Sequence, residues 1–112
     1  MRRIWLAFCY SIAGFKQAFA DEAAFRQEIY LGVVLFPAAY FLAQTPVELA
    51  LLWFSLMFVL AMELVNSAVE AAIDRVGAEI HPLSKKAKDV ASAAVLLALL
   101  NVALVWGAVL LF

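Results

Sequence analysis

The chain has 112 residues, 68% hydrophobic and 15% charged, with a formal net charge of −1. A soluble domain carries roughly 45–50% apolar and about 25% charged residues, and a globule of this length has too much surface to hide the excess. Composition therefore excludes a monomeric soluble domain, and it excludes intrinsic disorder, which needs low hydrophobicity and high net charge. The lack of a basic excess argues against nucleic acid as a partner, and the single cysteine, Cys9, allows no intrachain disulfide.

The first twenty residues imitate a secretory signal: Met1-Arg2-Arg3, an apolar run, then Ala18-Phe19-Ala20. Lys16 stands too close to that supposed cleavage site. Trp5, Phe8, Ile12, Phe15 and Phe19 recur at steps of three and four, the spacing of one helix face. The pattern predicts a surface helix over residues 1–20 lying in the membrane interface, with Lys16 snorkelling beside the apolar stripe.

Three apolar stretches follow. Ile29–Val47 carries no charge, Leu49–Ile73 carries only Glu63 and Glu70, and Val90–Phe112 carries none. A spanning helix needs about 20 such residues, which predicts spans over about 27–45, 48–68 and 90–112. Sustained alternation is missing, so strands are not expected. Gln44-Thr45-Pro46 reads as the turn between the first two spans, and Pro37 as a kink within the first. His81-Pro82 breaks the chain before the third, for which Ser84 is the expected N-cap.

All eight basic residues fall in two places. Arg2, Arg3, Lys16 and Arg26 precede the first span, and Arg75, Lys85, Lys86 and Lys88 lie between the second and third. The positive-inside rule puts the N-terminus and the 74–89 loop in the cytoplasm.

Glu63, Asn66, Glu70 and Asp74 are spaced by three, four and four residues. At about 100° per residue they share an arc of roughly 80°. A charge at the bilayer centre costs at least about 2.5–3.5 kcal/mol, and a purely structural span has no use for that cost. Headgroup solvation explains Asp74 but not Glu63, which has apolar residues on both sides. Asp21, Glu22 and Glu28 stand at the entry to the first span, where Glu22 and Arg26 have the spacing of an i,i+4 ion pair. Lys85, Lys88, Asp89 and Ser92 form one stripe at the start of the third span, which could equally anchor lipid headgroups. Carboxylates without partnering His or Cys favour a hard cation such as Mg²⁺, and Mg²⁺ beside lysines handles phosphate. No glycine-rich phosphate loop is present, since glycines stand alone at 14, 32, 77 and 107, and His81 reads as a loop residue. A proton- or cation-conducting oligomer fits the same residues.

Three segments go further. Glu22-Ala23-Ala24-Phe25-Arg26-Gln27-Glu28, Glu63-Leu64-Val65-Asn66-Ser67-Ala68-Val69-Glu70 with Asp74-Arg75, and Ala87-Lys88-Asp89 resemble the prokaryotic diacylglycerol kinase family. Their order, the chain length and the three spans match over the whole chain. The resemblance implies an all-α membrane protein, one domain over 1–112, assembled as a homotrimeric bundle in the bacterial inner membrane, with sites shared between subunits. It implies transfer of the γ-phosphoryl of MgATP to the primary hydroxyl of diacylglycerol, giving phosphatidic acid.

By residue, Glu63 matches the family's general base, Glu22 and Glu70 its Mg²⁺-binding glutamates, and Asn66 the amide of the catalytic face. Lys88 and Asp89 match the nucleotide-contacting pair, with Lys88 also acting on the phosphoryl group. Arg3, Tyr10, Glu79 and His81 fall at nucleotide-contacting positions, and Glu28 and Ser92 near the lipid substrate. The chain departs from the pattern in reading Glu79-Ile80-His81-Pro82 where better-known members read E-Y-H-E. A sister group acting on undecaprenol shares the E-x-x-N and A-K-D marks.

Overall fold

A computed structural model of the chain describes residues 1–77 and 81–112. They form four helices: α1 (Arg2–Asp21), α2 (Ala23–Leu42), α3 (Pro46–Val76) and α4 (Pro82–Leu111). The helix expected over residues 1–20 is α1, and the three apolar stretches fall on α2, α3 and α4.

One residue separates α1 from α2. Glu22 is extended, at φ −114° and ψ 110°. The Arg26 guanidinium folds back and its Nη1 donates to the carbonyls of Phe19 and Ala20, at 2.8 and 2.9 Å. A cation at carbonyls left free by a helix C-terminus is favourable. Arg26 thus closes α1 instead of pairing with Glu22 across one turn. The joint is packed by Phe25, which is fully buried and stacks on Phe15, and by an edge-to-face contact of Phe19 with Tyr30.

The turn between α2 and α3 is the expected one. Thr45 caps α3, its hydroxyl accepting from the Glu48 amide at 3.1 Å, and Pro46 takes the first helical position. The Glu48 carboxylate returns to the Gln44 amide at 3.2 Å, a reciprocal cap close to a capping box. α2 runs through Pro37 as one helix. Beside that proline, Trp53 of α3 stacks on Phe36 and donates its indole N–H to the Phe36 carbonyl at 3.0 Å.

Two expectations about the segment 74–89 are corrected. The segment 74–89 is mostly helical: α3 persists to Val76 and α4 begins at Pro82. The N-cap of α4 is His81, whose Nδ1 accepts from the Leu83 amide at 3.1 Å, and not Ser84. Pro82 explains the earlier start, because its fixed φ and missing N–H suit the first helical position. α3 ends at Gly77, with φ 135° and ψ 176°, a region essentially restricted to glycine. A Cβ there would meet nothing within 4 Å, so the requirement lies in the backbone alone.

α3 is the central element, packing most extensively on α4 and next on α2. Its buried residues are Leu52, Ser55, Leu56, Val59 and Glu63, one stripe at helical spacing that ends in a carboxylate. α3 and α4 are long and apolar enough to cross a membrane, with mean hydropathies of 2.0 and 2.5 over 18-residue windows. α2 does not meet that measure, because Arg26 and Glu28 fall in its first two turns.

One buried polar tie joins the two long helices. The Ser55 hydroxyl donates to the Leu52 carbonyl at 2.7 Å and accepts from the Trp106 indole at 3.2 Å. Ser55→Ala would leave that N–H unpaired, at a cost of about 1 kcal/mol. We expect a lower thermal midpoint in detergent. Ser55→Ala combined with Trp106→Phe should cost less than the sum of the two single changes, as a double-mutant cycle would read.

Candidate active site

The polar face of α3 is graded. Glu63 is 8% exposed, Asn66 and Glu70 are partly buried, and Asp74 is exposed. That gradient follows from a helix that starts in the apolar bundle and leaves it about three turns later. Glu63 sits where α2 packs on α3, and its carboxyl interacts directly with that of Glu28. Glu28 Oε2 is buried without a hydrogen-bond partner. One turn beyond Glu63, the Asn66 amide donates to Glu70 Oε1 at 3.2 Å, and Asn66 Oδ1 is likewise buried and unpartnered.

Buried acceptors without donors are costly. Asn66 Oδ1, one turn from Glu63, is thus an oxygen that a hydroxyl, an ammonium or a cation would satisfy, whereas the Glu28 carboxyl already meets that of Glu63.

The α4 stripe reaches this face at its outer end. Lys88 Nζ donates to Asp74 Oδ1 at 2.7 Å and forms an ion pair between α4 and α3. That hydrogen bond holds the Lys88 pKa above the ordinary lysine value, so the ammonium stays charged throughout the neutral range. Asp89 is held by Lys85 at 2.7 Å on α4's own surface, and not by Lys88. Ser92 is exposed on the same helix.

Glu22 lines a cavity of about 450 Å³ between α1 and α3, together with Asp21, Ser11, Gln17 and Ser67. Arg3 and Tyr10 line a separate open depression of about 470 Å³ near the start of α1. Arg3 and Asp21 lie at opposite ends of α1, about 27 Å apart at 1.5 Å per residue. His81 is engaged as a helix cap. Glu79 lies outside the described residues.

The chain therefore gathers Glu28, Glu63, Asn66 and Glu70 on one face and joins it to Lys88 through Asp74. Within one chain, Arg3 and Tyr10 stand apart from that face. Among the described residues no three His, Cys, Asp or Glu converge as a metal cage. The acidic donors are oxygen-only and sparse. This suits Mg²⁺, which usually takes one or two carboxylates and completes its shell with water and phosphate oxygens.

Comparison with known proteins decides the family. The model for prokaryotic diacylglycerol kinase matches residues 9–110. The chain belongs to the prokaryotic diacylglycerol kinase family. Among its relatives, the diacylglycerol kinase of Pseudomonas aeruginosa is 49% identical over 111 residues, covering 99% of this chain and 90% of the relative. That of Haemophilus influenzae is 48% identical over 103 residues, 92% of this chain and 87% of the relative. That of Escherichia coli K12 is 44% identical over 107 residues, 93% and 85%.

Against the prokaryotic diacylglycerol kinase motifs, two contacts escaped sequence reasoning. The pairing of Glu28 with Glu63 has no sequence signal, because the residues belong to helices whose mutual rotation is set by packing. The Lys88–Asp74 bridge had only a weak one, opposite charges at the facing ends of two helices joined by a short connection.

Proposed function

We propose that this chain is a lipid kinase that transfers the γ-phosphoryl of MgATP to the primary hydroxyl of diacylglycerol, at the cytoplasmic face of the bacterial inner membrane. The observation that carries the reading is Glu63: a carboxylate ending the buried apolar stripe of α3, one turn from Asn66, on a face that runs outward to Lys88. Glu63 takes the proton of the lipid hydroxyl, whose oxygen bonds to the γ-phosphorus as the bond to the ADP oxygen breaks. A site at the hydrocarbon edge lets that hydroxyl react while its acyl chains stay in lipid.

Asn66 holds Glu70 in position. Glu22 and Glu70 would hold Mg²⁺, which when bound neutralises phosphate charge. Lys88 adds a permanent positive charge toward the phosphates, and Asp89, Arg3, Tyr10, Glu79 and His81 serve the nucleotide. Glu28 and Ser92 serve the lipid. Because phosphoryl transfer asks the protein chiefly to position groups and neutralise charge, this donor set is adequate without a further cofactor.

Separations within the chain support a composite site in a homotrimer. Lys88 is tied to Asp74, eleven residues beyond Glu63, which is about 16 Å along α3. Arg3 is farther still from Glu22 than one nucleotide reaches. Neighbouring subunits that bring their own Lys88 to this Glu63 and their own Arg3 to this Glu22 remove both gaps. The reading takes α2 as a third span beside α3 and α4, with α1 on the membrane surface.

The deciding assay is formation of labelled phosphatidic acid from γ-labelled ATP and diacylglycerol in mixed micelles. Robust product is expected, with undecaprenol a poor competitor. Preferential phosphorylation of undecaprenol would move the chain to the sister activity, and cation flux without phosphorylation would remove the kinase reading. Orientation has its own check. In a Cys9→Ser background, needed because Cys9 is exposed, Thr45→Cys should react with an impermeant thiol reagent from outside intact cells, and Lys86→Cys should not. The reverse pattern would put the nucleotide site on the wrong side.

A further inference from the structure

Deep in the apolar stretch of α4 stands one side-chain amide, Asn101. It has eleven residues of Val90–Phe112 on either side, about 16 Å of helix each way. That puts it at the middle of a hydrocarbon layer about 30 Å thick. Asn101 is half-buried, at the border between Ala98, which is fully packed, and Leu97 and Leu104, which are largely exposed. Leu99 and Val102 turn toward Gly32 and Phe36 of α2. At 100° per residue Asn101 points about 100° away from Val102 and about 160° away from Leu99, so it opens on the flank of α4 that α2 does not cover. The ties Ser55–Trp106 and Asp74–Lys88 fix the register of α4 on α3 and set Asn101 level with Leu60. The polar groups nearest that depth are engaged: the Ser55 hydroxyl with Leu52 and Trp106, and the Glu63 carboxyl with Glu28. Among the described residues the Asn101 amide has no hydrogen-bond partner.

We propose that this flank of α4 is a contact between copies of the chain, across which Asn101 hydrogen-bonds to its neighbour. The assignment rests on the membrane-spanning, oligomeric reading above and names a surface for that assembly. An unpaired amide in hydrocarbon is costly, and acyl chains offer neither donor nor acceptor. A second copy is the complement at hand. Copies that share one orientation in the bilayer hold their Asn101 side chains at one depth, and a primary amide both donates and accepts. Ala94 and Ala108, each seven residues from Asn101, lie on the same flank. Their small side chains let a neighbouring helix come close enough for its backbone carbonyls to be reached as well. One such bond adds modest strength. A lone Asn in an apolar seam acts chiefly on register and partner number, because sliding one copy past the other by a turn leaves the amide unpaired.

The sign of an apolar substitution decides. If Asn101 faced only lipid, Asn101→Leu would relieve an unpaired group and leave the assembly as tight or tighter. With a bond between copies, Asn101→Leu should instead loosen it, and so should Asn101→Val, a smaller variant that guards against added bulk. Exchange of donor- and acceptor-labelled chains between assemblies in mixed micelles, followed by energy transfer, should run about 3- to 20-fold faster, the range for one interhelical hydrogen bond in a membrane. Leu96→Ala, about 140° around α4 from Asn101 and largely exposed, should exchange at the parent rate. Unchanged or slower exchange in both Asn101 variants, or equal acceleration by Leu96→Ala, would overturn the contact. A second readout places a photoreactive group on the flank. With Leu97, four residues before Asn101 and 66% exposed, replaced by p-benzoylphenylalanine, irradiation should link two copies of the chain. Adducts to lipid alone would overturn the proposal. Phosphatidic acid formation by the same samples separates the failures. Active assemblies whose exchange ignores Asn101 lose the contact and keep the kinase reading. Faster exchange in chains that make no phosphatidic acid keeps the contact and defeats the kinase reading. A parent chain that stays monomeric overturns both the contact and the shared site.

Discussion

Glu63→Gln should lower kcat by about 10²–10⁴-fold, the usual contribution of a positioned general base, and leave the KM for MgATP nearly unchanged. The amide keeps the size of the side chain and much of its hydrogen bonding, but it cannot accept the lipid's proton. Glu63 is buried at the end of the apolar stripe, where the proposed mechanism puts the lipid hydroxyl. Glu70 lies two turns farther out, partly exposed and held by Asn66, where the proposed mechanism puts MgATP. Glu70→Gln should therefore raise the Mg²⁺ requirement, and excess metal should restore part of the rate. Initial rates measured against Mg²⁺ at saturating lipid check both outcomes. Rescue of Glu63→Gln by metal, without rescue of Glu70→Gln, would exchange the two roles.

Two inactive chains should rescue each other. If one subunit supplies Glu63 and its neighbour supplies Lys88, co-assembly of Glu63→Gln with Lys88→Ala regenerates sites in which both residues are intact. Random equal mixing in a closed ring makes roughly a quarter of the sites intact. The expected specific activity is therefore about a quarter of the parent's, against near zero for either variant alone. The tether of Lys88 to Asp74, about 16 Å along α3 from the same chain's Glu63, is what favours a shared site. Lys88→Ala also frees Asp74, so helical content and oligomer size of the variant need to match the parent. If matched chains, mixed before assembly, restore nothing, the site lies within one subunit.

Periodicity and charge placement were enough to fix most of the architecture. A stripe of aromatic residues at helical spacing marked α1, and apolar runs of sufficient length marked α2, α3 and α4. The arc of Glu63, Asn66, Glu70 and Asp74 was legible because helix geometry converts spacing into a shared face without reference to any other segment. The Thr45-Pro46 turn was legible for the same reason: its capping hydrogen bond closes within three residues.

Local rules failed where two of them competed. Ser84 is a good N-cap by residue type, yet Pro82 fixed the helix start and made His81 the cap. Arg26 had an acid one turn before it, but the carbonyls closing α1 were a nearer and more complete set of acceptors.

The sequence by itself therefore determined the helices and the face each one carries, because these depend on spacing along one segment. Only the tertiary structure decided which faces meet. That Glu28 touches Glu63, that Lys88 reaches Asp74 and that Ser55 receives the Trp106 indole all depend on how α2 and α4 are rotated about α3. That rotation is settled by the packing of side chains many residues apart, and no spacing within one segment encodes it.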